Sequence, residues 1–256
     1  MKQIIKKGSF LTLMFMLLGC LSLYAADNDL ITKQITITLE KAGTLPDSIG
    51  SSKKYKITNL KIIGEINGTD LRMIREMAGS DYISNSTDGK LSVLDLSKAK
   101  IVEGGVCYYY DCYTSNDVIG DRAFYGCSGL TSLTLPDGIT EIVSFAFYGC
   151  SGLTSIYVYA EKVPNIDSHV FEGIDAKKCT VYVPMGTYDD YRHSIFGYYF
   201  ENIVEFKATG IDKTTISTDV EEVTRYSVNG QRLSAPTKGL NVVKYSDGSV
   251  KKVAVQ

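Results

Sequence analysis

Residues 123–158 read AFYGCSGLTSLTLPDGITEIVSFAFYGCSGLTSIYV, and they contain an internal repeat. Its first ten residues, 123–132, recur unchanged as residues 146–155, so the same sequence returns after 23 residues. Identity over ten positions in register is not a chance match. A fixed period in the low twenties is typical of a protein in which each structural unit stacks on the previous one.

Each repeat contains one predicted strand and one predicted turn. Leu130, Leu133 and Leu135 have the spacing of a strand that points alternate side chains inward. Pro136 ends this strand because it has no N–H to donate to a neighbour. The Asp137-Gly138 pair then favours a turn.

No single repeat can bury its apolar stripe alone, so each one needs a neighbour. We therefore expect equivalent residues to form columns, with Leu133 on Ile156 and Phe124 on Phe147. The spacing within a column should be that of neighbouring strands, about 4.8 Å.

The repeat AFYGCSGLTSLTLP, at its period of 23, resembles the leucine-rich repeat of BspA-type surface proteins of the Bacteroidota. The resemblance extends from the predicted strand near Ile57 to the segment Val181–Pro184. It implies a secreted or surface-anchored solenoid, with adhesion to host proteins or other cells in some members. It does not imply an enzyme.

The chain is therefore predicted to be mainly β with minor α. We expect a leucine-rich repeat solenoid with a period of about 23 residues and a cap at each end over residues 27–208, and a small β tail over residues 209–256. The N-terminal cap should contain a strand at 34–39 and a helical turn at 45–49. A helix is predicted over Asp70–Ala78, and residues 200–206 should close the C-terminal end.

Residues 1–26 have the pattern of a secretory signal peptide, with three lysines before an apolar run. Two cleavage sites compete. Leu17–Cys20 resembles a lipobox, which would make Cys20 a lipidated first residue, whereas Ala25 and Ala26 suit ordinary cleavage. Either site places the protein outside the cytoplasm, and neither makes it transmembrane.

The last residues, 226–255, read YSVNGQRLSAPTKGLNVVKYSDGSVKKVAV. Asn229-Gly230 and Asp247-Gly248 each lie between β-like segments and predict two hairpins. The pattern resembles the C-terminal sorting domain of the type 9 secretion pathway. That resemblance implies an export address and an outer-membrane anchor, in addition to the lipid anchor that Cys20 would provide.

An insertion at Glu103–Asp117 interrupts the repeats and contains four tyrosines, Tyr108, Tyr109, Tyr110 and Tyr113. Insertions of this kind fall on one face of a repeat protein and often form its binding face. Tyrosine offers rigid, amphipathic contact area to a partner. The alternative is that these tyrosines fold back and pack on the repeats.

Four of the six cysteines fall into two pairs. Cys127 and Cys150 occupy equivalent repeat positions, where buried thiols are favoured over a disulfide. Cys107 and Cys112 form the candidate disulfide of the insertion, since an exported protein meets an oxidising environment.

Other chemistry is not indicated. The formal charge is −2, and loss of the leader lysines makes the rest more acidic, which argues against nucleic acid as a partner. The spacing of His169 and His193 predicts no metal site, and no motif indicates a catalytic residue or a cofactor.

The leading hypothesis is an exported cell-surface adhesion module that binds host or bacterial surface proteins, or glycans. The alternative is a structural or accessory surface protein without a ligand of its own.

Overall fold

The computed structural model describes residues 30–207, 222–227, 231–233, 235, 237–245 and 250–255. The chain divides into two compact units, Met1–Ala208 and Thr209–Gln256. The predicted signal peptide, residues 1–26 with both of its cleavage sites, lies outside the described residues.

The first unit is mainly strand with few helices, as the sequence predicts. Its strands are β1 (Ile35–Leu39), β2 (Asn59–Ile66), β3 (Val93–Ile101), β4 (Gly104–Tyr109), β5 (Cys112–Thr114), β6 (Val118–Ile119), β7 (Ser132–Thr134), β8 (Glu141–Ile142), β9 (Ser155–Tyr157), β10 (Asn165–Ile166), β11 (Thr180–Pro184) and β12 (Asn202–Phe206). Its helices are α1 (Leu45–Ile49), α2 (Gly68–Met77), α3 (Tyr188–Arg192) and α4 (Ile195–Tyr199).

Two parallel sheets follow the repeat. One has the order β1-β2-β3-β7-β9-β11-β12, and the other has the order β6-β8-β10. Leu133 is paired in register with Leu94 on one side and with Ile156 on the other. Val181 continues this line. The predicted column of Leu133 on Ile156 is therefore confirmed, and each repeat adds one strand to the larger sheet.

A column of phenylalanine rings fills the core between the sheets and the repeat corners. The ring centroids of Phe124 and Phe147 are 5.5 Å apart, and those of Phe147 and Phe171 are 5.7 Å apart, with the planes nearly parallel. All three side chains are buried. This confirms the predicted contact of Phe124 with Phe147. Cys127 and Cys150 are buried free thiols, as their repeat position predicts.

Helix α2 begins at a capping box that also fixes the preceding segment. The Asn67 side chain accepts a hydrogen bond from the Thr69 N–H at 3.0 Å, and the Asp70 carboxylate accepts one from the Asn67 N–H at 2.9 Å. The same buried carboxylate accepts from the N–H groups of Gly43 and Leu45. The helix therefore starts two residues earlier than predicted, because Asn67 caps it.

The C-terminal end of this unit is closed by the two short helices and β12. Phe196 is buried against Phe171, with ring centroids 5.2 Å apart. The buried Tyr191 hydroxyl donates a hydrogen bond to the carbonyl of Ala160 at 2.7 Å. β12 pairs with β11 and completes the larger sheet. These contacts cover the last repeat, as the predicted cap would.

The second unit contains β13 (Glu222–Ser227), β14 (Arg232–Leu233), β15 (Gly239–Tyr245) and β16 (Val250–Val255). They form an antiparallel sheet in the order β14-β13-β15-β16. The predicted Asn229-Gly230 and Asp247-Gly248 turns lie outside the described residues, while the strands that flank each turn are paired as a hairpin requires.

Candidate functional site

The insertion folds as a two-stranded antiparallel hairpin, β4–β5. Tyr109 is paired with Cys112, so Tyr110 and Asp111 make a two-residue turn. Tyr110 has a φ of 42°, the left-handed backbone that such tight turns require. The pairing shifts between Gly104 and Tyr109, because β4 covers five residue steps where β5 covers two, so the strand is irregular between them.

Glycine allows this hairpin to lie directly against the start of α2. A Cβ atom on Gly105 would be 2.4 Å from Asn67 Oδ1 and 2.7 Å from the Thr69 nitrogen, and Gly105 has a φ of 74°. The Val106 N–H donates a hydrogen bond to Thr69 Oγ1 at 3.2 Å. The base of the hairpin is thus held by the same residues that cap the helix.

Tyr108 and Tyr109 are buried, so the expectation that they contact a ligand directly needs correction. Tyr108 is 1% exposed, and its hydroxyl donates a hydrogen bond to the carbonyl of Asp121 at 2.9 Å. Burial raises the pKa of this hydroxyl, so it stays protonated as a donor. Tyr109 packs between Arg75 and Tyr125, and its hydroxyl lies 2.9 Å from Ser84 Oγ. These two tyrosines therefore pack against the rest of the protein, which was the alternative to direct ligand contact.

Tyr110 and Tyr113 are the exposed tyrosines of the hairpin, at 55% and 60% of their surface. The Tyr110 ring meets the Tyr109 ring edge-on at 4.9 Å, and its hydroxyl donates to the carbonyl of Ile83 at 3.3 Å. Val106 is also exposed. The hairpin therefore displays apolar and aromatic surface over a buried, hydrogen-bonded base.

Arg75 joins the hairpin to α2 and to the first repeat corner, and it is fully buried. Its guanidinium carbon lies 4.8 Å from the centroid of the Tyr109 ring. Its two terminal nitrogens donate hydrogen bonds to the carbonyls of Asp81, Arg122, Ala123 and Tyr125 and to the Ser80 hydroxyl. Sequence reasoning missed this residue. The available signal was its position one turn after Leu71, on the apolar face of the helix.

Cys107 and Cys112, the candidate disulfide of the insertion, are half-buried free thiols in this structure. Cys112 lies opposite Tyr109, not opposite Cys107. Its Sγ is 3.8 Å from Asp121 Oδ2. Two causes raise the pKa of this thiol: burial is the larger one, and the negative charge of Asp121 is the next. The bridge stays a prediction.

A second aromatic surface lies on the outer face of the larger sheet, towards its C-terminal edge. The rings of Tyr157 and Tyr182 stack at 4.4 Å on adjacent strands. Phe206 meets Tyr157 and Tyr159 edge-on, at 6.0 Å and 4.9 Å. All four are half-buried. We call these four residues the sheet-face cluster.

A charged pair lies further along the same face. Lys61 Nζ is 3.6 Å from Asp95 Oδ2, and both side chains are largely buried. The register of the strands places Lys61, Asp95, Thr134, Tyr157 and Tyr182 in one row.

Two further findings bear on the chemistry of the described residues. Within them, no three His, Cys, Asp or Glu side chains are grouped so that they could hold a metal ion. The helices of this part of the chain are too short and too polar to cross a membrane.

Comparison with known protein families gives one match. Residues 111–235 match the family model described as "BspA type Leucine rich repeat region", in six copies. No curated protein matches the chain. The match begins at the hairpin turn and supports the leucine-rich repeat resemblance. Repeats of this type are commonly protein-interaction modules and are generally scaffolds, not enzymes.

Proposed function

We propose that this protein is an exported surface protein whose repeats stack as a solenoid and bind a partner protein. The leucine-rich repeat match supports a protein-interaction module, and proteins of this type are typically exposed at the cell surface. The sequence-predicted leader and sorting tail support export and anchoring. The partner would be a protein of the host surface or of another bacterial cell.

The observation that carries the proposal is the pair of exposed tyrosines on an anchored hairpin. Tyr110 and Tyr113 present more than half of their surface to solvent, while the α2 cap fixes the base of the hairpin and Arg75 packs on Tyr109 beside its turn. Aromatic residues held in place lose little conformational entropy on binding, which is why tyrosine is enriched among the residues that dominate interfaces. We therefore assign the hairpin as the primary contact of the partner.

The sheet-face cluster would be a second, separate contact surface. Its rings are already packed against one another, so a partner would bury them without first ordering them. Its half-buried state gives it less surface to contribute than the hairpin tyrosines.

The test is a binding screen of the chain without residues 1–26 against immobilised host-matrix proteins and bacterial surface fractions. The double variant Tyr110→Ser/Tyr113→Ser should weaken saturable binding at least about tenfold, because anchor tyrosines contribute about 2 kcal/mol or more. Its free energy of unfolding in urea should fall by only about 1 kcal/mol, for the edge-on contact of Tyr110 with Tyr109, since both rings are exposed. Tyr55→Ser is the matched control, because Tyr55 is an exposed tyrosine of the same unit outside both surfaces.

Two results would contradict the assignment. Equal binding by the double variant and the control would remove the hairpin from the interface. Absence of saturable binding across the panels would favour the alternative of an accessory surface protein without a ligand of its own.

A further inference from the structure

An open depression of about 480 Å³ lies at the C-terminal end of the first unit, where α3 and α4 face the segment around β10. Its lining residues are Pro164, Asn165, Ile166, His193, Ser194, Ile195 and Tyr198. A second depression of similar volume adjoins it and shares His193. Its other lining residues are Lys162, Val163, Asp189 and Asp190. Both depressions are wide open to solvent, so a ligand would lie along this surface and not inside a cleft.

Tyr198 provides an aromatic platform at this site. It is 80% exposed, the highest value among the large apolar side chains that the structure describes. Its ring is supported edge-on by Tyr199 at 5.3 Å, and Tyr199 packs in turn on the buried Phe171 at 5.6 Å. Tyr198 is therefore exposed to solvent while its ring is held from one side by Tyr199, which leaves the ring accessible to a flat ligand.

The two adjoining depressions together supply hydrogen-bond donors and acceptors. His193 Nδ1 lies 2.7 Å from the carbonyl of Asp189. Since a carbonyl only accepts, Nδ1 is the donor in this contact, and Nε2 is left to hydrogen-bond with a ligand hydroxyl. Asn165 adds an amide with both donors and an acceptor, and the carboxylates of Asp189 and Asp190 can each accept from two hydroxyls.

This combination defines the class of ligand. An aromatic ring stacks on the C–H face of a pyranose, while carboxylates, an amide and an imidazole bind the hydroxyls at its edge. The two carboxylates outnumber the single ammonium group, that of Lys162, so the surface carries net negative charge and disfavours an anionic sugar. We propose that this end of the protein binds a neutral glycan, with Tyr198 as the stacking residue and with Asp189, Asp190 and His193 as hydrogen-bonding residues.

The proposal does not depend on the hairpin interface. The two sites share no residue, so a protein ligand could be lost while the glycan is still bound, or the reverse. A surface protein with both sites would engage two chemical classes of partner at once.

The test is titration of the full chain with neutral hexasaccharides, followed by calorimetry and saturation-transfer NMR. The probes are maltohexaose, laminarihexaose and chitohexaose, and hyaluronan hexasaccharide is the anionic comparison. We expect at least one neutral probe to bind at millimolar or lower concentration. Tyr198→Ala should weaken that binding about tenfold or more, the loss of a stacking contact of about 1.4 kcal/mol. Asp190→Asn should weaken it too.

Tyr55→Ala is the control and should bind as the unaltered chain does, since Tyr55 is far from this site in sequence and does not line it. Three outcomes would overturn the proposal: no binding of a neutral probe at millimolar concentration, full binding by both Tyr198→Ala and Asp190→Asn, or tighter binding of the anionic probe.

Discussion

Replacement of Arg75 by methionine tests the central packing of the hairpin. Methionine keeps most of the apolar length of the side chain but removes all of its hydrogen-bond donors. In the native structure, Arg75 Nη1 lies 3.1 Å from the Ala123 carbonyl and Nη2 lies 3.0 Å from the Tyr125 carbonyl. Both carbonyls belong to the first repeat corner, where Phe124 enters the core.

The expected loss of stability follows from these contacts. A buried carbonyl left without a donor costs about 1–3 kcal/mol, so these two carbonyls give roughly 2–6 kcal/mol. The loss of the guanidinium from the face of Tyr109 adds about 0.5–2 kcal/mol. Some of this is regained because the charge no longer has to be buried, so we expect a net loss of about 3–5 kcal/mol.

The measurement is urea unfolding followed by circular dichroism, together with hydrogen–deuterium exchange over residues 104–114. Arg72→Met is the matched control. Arg72 lies in the same helix, and its guanidinium is 3.6 Å from the centroid of the Tyr82 ring, but it is only partly buried. It should lose about 1 kcal/mol or less. Equal destabilisation by the two variants, or unchanged exchange of the hairpin in Arg75→Met, would show that Arg75 does not hold the hairpin.

Two further predictions concern the backbone and the core. Gly105→Ala should destabilise the protein by about 3–5 kcal/mol in urea unfolding, since its Cβ would meet Asn67 at 2.4 Å in addition to the strain of a positive φ. Gly50→Ala, at φ 72° and ψ 155° with open space around it, should lose only the backbone strain, about 1–3 kcal/mol. Equal losses would contradict the close approach of Gly105 to Asn67. Burial raises the pKa of the Cys127 thiol to about 11 from an ordinary value of 9.0, so the native state holds this proton more tightly than the unfolded chain does. The protonated thiol therefore contributes its full stability below pH 9 and loses it as the pH rises towards 11. The test compares the free energy of unfolding of the unaltered chain with that of Cys127→Ala at several pH values under reducing conditions. The difference between the two should shrink by about 2–3 kcal/mol over that interval.

The repeat could be predicted from the sequence because the same ten residues occur twice at a fixed spacing. The columns of Leu133 with Ile156 and of Phe124 with Phe147 follow from the period alone, since equivalent residues of stacked repeats must meet. The left-handed backbone at Arg122, Phe145 and His169 could not be predicted in the same way. None of them is glycine or asparagine, and the shared conformation appears only when the repeat is folded.

The tyrosine-rich insertion shows where the sequence signal ends. Adjacent tyrosines of a strand point to opposite faces, so one of Tyr108 and Tyr109 would normally face solvent. Both are buried because the hairpin is covered on two sides: Tyr108 meets Asp121 on one side, and Tyr109 meets Arg75 on the other. The number of covered faces depends on tertiary packing, which composition and spacing do not encode.

The two buried tyrosines matter for binding because they determine how the two exposed ones are presented. Ordering a flexible loop on association costs about 0.5–1.5 kcal/mol for each side chain that is immobilised. Here the hairpin is already ordered by Arg75 and Tyr109, and Tyr110 rests on Tyr109 and on the Ile83 carbonyl. A partner that covers Tyr110 therefore meets a ring whose position is set before contact. It follows that Arg75→Met should weaken partner binding even though Arg75 is fully buried and cannot touch the partner.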